Sequence, residues 1–331
     1  MAIFNANRKY GIEIEIATRL PASYLSNAIN SEFGFRGINQ TIRQENYGHS
    51  VPRQWKIVPD CSVRGWEVVS PPLTGFEGKA ELDAVCAGLA TLGTDVKVDR
   101  TTGLHVHHDA IDLNARQIGN LHALYACFQH VFNYMVAPSR RNANYARQLS
   151  WESITQNGTD DFKNDVRTTG RNRARETYGT PSIERKISNR HHGRYSTVNS
   201  QSLNTHGTIE FRQHQGTMDA VKIWNWIVIT QSIMESASER KNVPSPRRIT
   251  AGKSSRGEFD RLKSTVAVEP WAHVRVKRAG QERSRVVEDS ALAEQCKTYV
   301  NTYKYFAKRV KHFAKEANVC GRLLDGTPKS R

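Results

Sequence analysis

The segment GIEIEI, Gly11 to Ile16, alternates carboxylate with isoleucine without a break, and no other stretch restricts the fold so tightly. Strict alternation marks a β-strand whose two faces meet different surroundings. Side chains at i and i+2 point the same way, about 6.5–7 Å apart. Ile12, Ile14 and Ile16 therefore form one apolar face, and Glu13 and Glu15 share the other. Two ionised carboxylates that close repel, and they titrate upward unless a cation or several donors lie between them. The strand is either one side of a solvated sheet or half of a cation site, and the remaining sequence has to choose.

The same oddity recurs along the chain. Glu67 sits in WEVVS, His105 and His107 alternate in GLHVHHD, and Glu210, Arg212 and His214 alternate in TIEFRQH. In each case apolar residues, such as Leu104 and Val106 or Ile209 and Phe211, occupy the opposite face. A single ExE or HxH is more often a solvated or structurally satisfied strand face than a ligand pair. Four such strands in one chain reverse that balance, because converging polar faces line one cavity. Carboxylates from several strands, joined by imidazoles, suit Mg²⁺ or Mn²⁺, and Mg²⁺ is commonly shared between carboxylates and a substrate's phosphates. Arg212, on the same face as Glu210, offers a planar fork for phosphate or carboxylate oxygens.

Lesser candidates have two readings each. Asp60 and Ser62 in PDCS either orient the site or make a turn, and Ser70 before a double proline ends a strand. Asn199 binds nucleotide or substrate amide, or else closes a ladder edge. His108 points opposite to its two neighbours, so His108 and Asp109 read as an outward, solvated pair. His191 and His192 contact phosphate or are simply solvated.

Between these strands, Pro21–Ser31 and Phe76–Leu92 have helical spacing. Asp112–Val136 reads as one long helix ended by Pro138, with His122 and His130 packed or facing solvent. Trp55–Val58 and WEVVS are strands on either side of a turn, and DVKVDRTTGLHVHHD is a strand broken at Thr-Thr-Gly. RYSTVNSQS and GTIEFRQHQGT read as two strands joined through LNTH, and a helix follows from Asp219 to about Glu239. Residues 139–194 are polar and Arg-rich, which predicts an insertion lying over the site. Residues 241–258 have linker composition. Residues 259–331 form a basic, mainly helical region with an amphipathic helix from Asp289 to Asn318. The organisation expected is a catalytic unit over 1–240, a linker and a C-terminal appendage.

With 331 residues the chain has ample apolar material for a core. No window approaches a membrane span and the start lacks the apolar stretch of a secretory signal, so no membrane partner and a cytoplasmic address are expected. The five cysteines are scattered with no CxxC pair, and all read as structural thiols. The formal net charge of +16 attracts polyanions, so nucleotides, nucleic acid and anionic membrane all fit it, as does simply a soluble basic surface. No P-loop, no GxGxxG after a strand and no nucleophile motif is present, so phosphates would be held by metal and side chains rather than by a glycine cradle.

In order, GIEIEI, DCSVRGWEVVSPPL, TTGLHVHHD and YSTVNSQSLNTHGTIEFRQHQGT resemble the signature segments of the amidoligase family within the glutamine synthetase-like superfamily, which also includes glutamate–cysteine ligases. The resemblance runs from about Arg8 to Glu239 and is absent from the C-terminal region. It implies an α+β fold, a curved antiparallel sheet of half-barrel form backed by helices, with ATP and divalent cations on its concave face. It also implies ATP-dependent amide formation through an acyl phosphate, which an amine then attacks. By that likeness Glu13, Glu15, Glu67, His105 and Glu210 are metal ligands, and His105, His107, Asn199 and Arg212 hold the nucleotide. Arg212, Glu210 and His107 serve catalysis, Arg212 by stabilising the transferring phosphoryl group. The partners implied are a carboxylate and an amine, either a small molecule or an amine-bearing macromolecule.

Two other readings stay open at this stage. Carboxylates, HxH and a basic surface also describe a metal-dependent nuclease or phosphodiesterase. The Arg-rich insertion, including Arg171, Arg173 and Arg175, and the basic terminal helix also describe a nucleic-acid binder whose acidic site is inactive.

Overall fold

Ile12, Ile14 and Ile16 are almost completely buried, and the strand that carries them, β1 (Tyr10–Thr18), lies in the middle of an eight-stranded sheet. Burying each isoleucine contributes about 1.5–3 kcal/mol. That fixes the register, because a one-residue slip would exchange the isoleucines for the glutamates. The computed structural model describes residues 4–46, 48, 51–141, 143–149, 193–240, 243, 255–266, 298 and 301–312. His191, His192 and most of the Arg-rich stretch and of the linker lie outside them.

The other strands are β2 (Ile42–Gln44), β3 (Trp55–Pro59), β4 (Gly65–Val69), β5 (Val96–Lys97), β6 (Gly103–Asp109), β7 (Val198–Asn199) and β8 (Thr208–Gln215). Their order is β2-β3-β4-β1-β6-β8-β7, with β5 paired to the end of β1. Every pairing is antiparallel except β2 with β3. This is a mixed α/β architecture, an open and mostly antiparallel sheet backed by helices.

The apolar face is covered by α1 (Ala22–Phe35), α2 (Gly75–Thr91), α3 (Ala115–Cys127) and α6 (Ala220–Glu239), whose buried residues join those of the strands in one core. Among the described residues this region also holds α4 (Gln129–Met135) and the short α5 (Ser202–His206). Asp219 caps α6 by accepting hydrogen bonds from the Val221 and Lys222 amides. From Ile223 to Ala237 almost every side chain of α6 is buried, so the helix is enclosed rather than amphipathic. Helix α7 (Ser255–Val266) stacks Phe259 on Tyr303, with ring centroids 5.0 Å apart. Phe306, in the helical stretch 301–312, packs 6.2 Å from the Trp226 ring.

Three expectations about the elements and their faces need correction, and a fourth concerns the burial of His108. The helix expected over 112–136 is two helices, α3 and α4, separated at Phe128 (φ −112°, ψ 14°). The break turns Gln129 and Asn133 toward the sheet, where both bond Gln213 of β8, and Tyr125 Oη donates to Gln213 Oε1 at 2.6 Å. The strand expected through RYSTVNSQS is only Val198–Asn199. The residues after it form α5, which ends at Gly207 in the left-handed region (φ 67°). His214 does not share a face with Glu210 and Arg212. The β6–β8 register pairs Val106 with Phe211 but Leu104 with His214, so β8 carries one extra residue there and the bulge turns His214 to the helix side.

Candidate active site

The register alone brings the polar residues together. Glu15 faces Glu67 across β1 and β4, Glu13 faces His105 across β1 and β6, His107 faces Glu210 across β6 and β8, and Glu210 faces Asn199 across β8 and β7. Period-two alternation places all of them on the face opposite the isoleucines. There they line a cleft of about 930 Å³ together with Arg212.

At its centre lies His105. Its Nδ1 is 2.9 Å from Glu13 Oε2 and 3.5 Å from Glu210 Oε1, and its Nε2 is 3.5 Å from Glu15 Oε1. His107 Nε2 is 3.3 Å from Glu13 Oε1, and its Nδ1 is 3.0 Å from Thr208 Oγ1. Glu15 Oε2 accepts a 2.6 Å hydrogen bond from the Gly103 amide. Glu210 accepts from Asn199 Nδ2 at 2.7 Å through one oxygen and pairs with Arg212 Nη1 through the other. Glu15, Glu67, His105 and Glu210 are all buried.

The cluster's protonation follows from these contacts. Burial pushes the Glu67 carboxyl well above the usual range, and the neighbouring carboxylates of Glu13, Asp60, Glu15 and Glu210 push it further. For Glu13 burial acts upward, but the His107 charge and hydrogen bonds from both imidazoles outweigh it and hold the carboxylate well below its ordinary value. Burial is likewise outweighed at Glu210, chiefly by Arg212 and then by the two histidines, and its pKa falls. His107 moves up, because Glu13 and Glu210 overcome the cost of burying its charge.

Two overlapping groups present ligand atoms within 4.8 Å of one another: Glu13, His105 and Glu210, and Glu15, Glu67 and His105. Carboxylate oxygens with one imidazole are the donor set of a hard divalent ion, and a buried Glu67 among like charges is the expected state of such a site without its cation. The residues therefore fit a magnesium or manganese ion.

Other sequence candidates fall in different places. Asp60 accepts from the Ser62 amide at 2.6 Å, a turn contact at the cleft wall. Ser70 Oγ accepts from the Ile12 amide and so pins β1 to β4. His108 points away from the cleft as expected, yet it is buried rather than solvated, with Nε2 2.8 Å from Thr230 Oγ1 on α6. His122 is buried beside Ser200 Oγ. His214 packs on Trp226, with ring centroids 5.2 Å apart.

The cleft also holds residues that the sequence did not single out. Lys56 is one; it alternates with core residues Trp55 and Ile57, and that polar position on an apolar strand was a usable signal. Arg140 is another, buried and donating through Nη2 to the Arg212 carbonyl at 3.0 Å. Nothing in SRRNANYAR distinguishes it from Arg141. Gly103 is a third: a Cβ there would meet Arg140 Nη2 and His105 Nε2 at 3.2 Å and Glu15 Oε2 at 3.4 Å, so only glycine leaves the three side chains room to approach.

Residues 6–234 match the family described as "Putative amidoligase enzyme". A solved structure described as "Crystal structure of novel glutamine synthase homolog" aligns with a TM-score of 0.40 at 12% identity, over 96% of this chain and 68% of that one. No curated protein matches the chain. Among the described residues, no helix is long and apolar enough to cross a membrane.

Proposed function

The chain belongs to the amidoligase family, and from that premise we propose that it is an ATP- and divalent-cation-dependent carboxylate–amine ligase. The observation that carries this reading is the meeting of Glu13, Glu15, Glu67 and Glu210 around His105, with Arg212 bound to the edge of the cluster. Phosphoryl transfer needs little covalent help from a protein. It needs reactants held in line and negative charge neutralised on the transferring group.

Magnesium or manganese, held by the carboxylates and His105, would supply that neutralisation when bound. The chain's own part is positional. Glu210 holds the Arg212 fork at the cluster, and Asn199 fixes the other Glu210 oxygen. Thr208 bonds His107 Nδ1, which leaves Nε2 facing Glu13. In the reaction a carboxylate oxygen of one substrate attacks the γ-phosphorus and ADP leaves. The amine of the second substrate then attacks the acyl carbon, a C–N bond forms, the C–O bond breaks, phosphate departs with the electron pair and the nitrogen gives up one proton to solvent.

The test is a nucleotide-turnover assay with mixtures of carboxylates and amines. ADP and phosphate release that requires Mg²⁺, a carboxylate and an amine together, with a product lighter by one water than the sum of the two, is the expected result. Cleavage of labelled DNA or RNA without ATP would replace the ligase by the hydrolytic reading of the same carboxylates.

A further inference from the structure

The charge and the aromatic surface of the cleft are distributed unevenly along the sheet, and this gives it a direction. At the β7–β8 side, Tyr145 (58% exposed) and Tyr195 (37% exposed) stand edge to face with centroids 5.4 Å apart. The Arg194 guanidinium lies 5.3 Å from the Tyr195 ring. Theirs are the exposed aromatic rings among the described lining residues, since Tyr10 is buried. The two segments that present them are laced together: the Arg147 amide donates to Tyr195 O, and the Thr197 amide to Arg147 O.

From this platform a line of contacts leads inward. Arg212 Nε donates to Tyr145 O at 3.3 Å, and Arg212 O accepts from Arg140 Nη2 at 3.0 Å. That same Nη2 lies beside Gly103, next to Glu15 and His105. Arg140 is only 6% exposed, and among the described residues its Nε has no hydrogen-bond partner. Its guanidinium approaches a carbonyl and is attracted by Glu15, but among the described residues no carboxylate is bonded to it, so it is a buried cation whose pairing is incomplete. An anion laid against it would complete that pairing.

We propose that this side of the cleft is a nucleoside triphosphate track, with the base on Tyr145 and Tyr195 and the phosphates running over Arg212 and Arg140 toward the carboxylate cluster. The inference rests on the ligase reading and adds a polarity to it: the β3–β4 side, with Lys56 and Asp60, is left for the carboxylate and amine substrates. A flat base needs a face to stack on, and each stacked base contributes enough to change affinity roughly 5- to 150-fold. The phosphates need cations that are already desolvated and fixed, which the buried Arg140 and the Glu210-bound Arg212 supply.

The deciding experiment compares binding of Mg-ATP and Mg-tripolyphosphate by calorimetry at fixed ionic strength. Replacing both rings (Tyr145→Ala with Tyr195→Ala) is expected to weaken ATP at least roughly fivefold and to leave tripolyphosphate within about twofold. The Phe pair at the same positions should keep ATP affinity. Arg140→Gln should weaken both ligands at least roughly tenfold. If that variant does not fold, the exposed tyrosine pair decides alone. Equal loss of both ligands in the alanine pair, or no loss of either, overturns the proposed track while ATP binding by the wild type leaves the ligase reading standing. A wild-type protein that binds neither ligand overturns both.

Discussion

Glu15 and Glu67 are register partners in the β1–β4 ladder, both buried and on the same face of the sheet. Such a pair of carboxyls is unfavourable in the absence of a cation, and the strain falls on Glu67, whose pKa is pushed well above its usual value by burial and then by its acidic neighbours. A carboxyl whose folded pKa is raised contributes stability that is fully present below its unfolded value, near 4.5, and lost as pH rises through the folded one. At neutral pH Glu67 therefore burdens the metal-free fold.

The first prediction follows directly. Glu67→Gln keeps the shape and removes the charge, so in chelator at neutral pH its melting temperature should exceed that of the wild type by several degrees. Its affinity for Mg²⁺ or Mn²⁺ should fall roughly tenfold or more. Thermal melts with and without the cation measure both. A variant less stable in chelator and equally stabilised by metal would remove Glu67 from the ligand set.

Arg212→Lys is expected to lower kcat by roughly 10²-fold while changing nucleotide affinity by less than about tenfold. Lysine retains the positive charge but loses the fork that meets Glu210 with one nitrogen and Tyr145 O with another. Arg140 remains to hold the anion. Steady-state rates alongside direct binding separate the two effects, and unchanged turnover would reduce Arg212 to a packing residue.

The central site was legible because its signal is local. Alternation in GIEIEI, WEVVS, GLHVHHD and TIEFR assigns faces one residue at a time, and antiparallel neighbours then bring the polar faces together. His214 escaped that logic because a single extra residue in β8 reverses the parity, and no glycine or proline at 212–214 announces it. The break at Phe128 was hidden for a related reason. The helical pattern of 112–136 is continuous, and the cause of the break is a buried polar network with Gln213 more than 80 residues away. Arg140 was invisible because its environment comes from distant strands, Glu15 of β1, Gly103 and His105 of β6 and Arg212 of β8. Where function depends on pairing within a sheet the sequence can be read, and where it depends on a distant partner it cannot.

Arg8 ties the start of β1 to the C-terminal half of α6. Its two terminal nitrogens bond both Asp112 carboxylate oxygens at 2.7 Å, and Nε bonds Glu235 Oε1 at 2.5 Å. Burial alone would lower the Arg8 pKa, but these two carboxylates raise it instead. Arg8→Met fills similar space and leaves Glu235, 13% exposed, without its cation. That change should cost about 3–5 kcal/mol in urea unfolding, and adding Glu235→Leu should recover most of it. An additive double variant would show that the pair is not coupled.

Acid stability provides the last test. His214 is fully buried against Trp226, and burial drives its pKa down to about 3, only slightly offset by its hydrogen bond to Gln215 O. In the unfolded chain the same imidazole titrates near 6.5. Between those values the unfolded state binds a proton that the folded state refuses, so stability is present above pH 6.5 and declines as pH falls toward 3. The slope from this group is about 1.4 kcal/mol per pH unit. His108, buried against Phe211 with its pKa also pushed well down by burial, adds in the same direction. His214→Gln should therefore flatten the decline of unfolding free energy between pH 6.5 and 5 by about that slope, whatever its stability at pH 8. The difference between the two profiles isolates this residue from the carboxylates, and parallel profiles would mean that the His214 ring takes up its proton in the folded state.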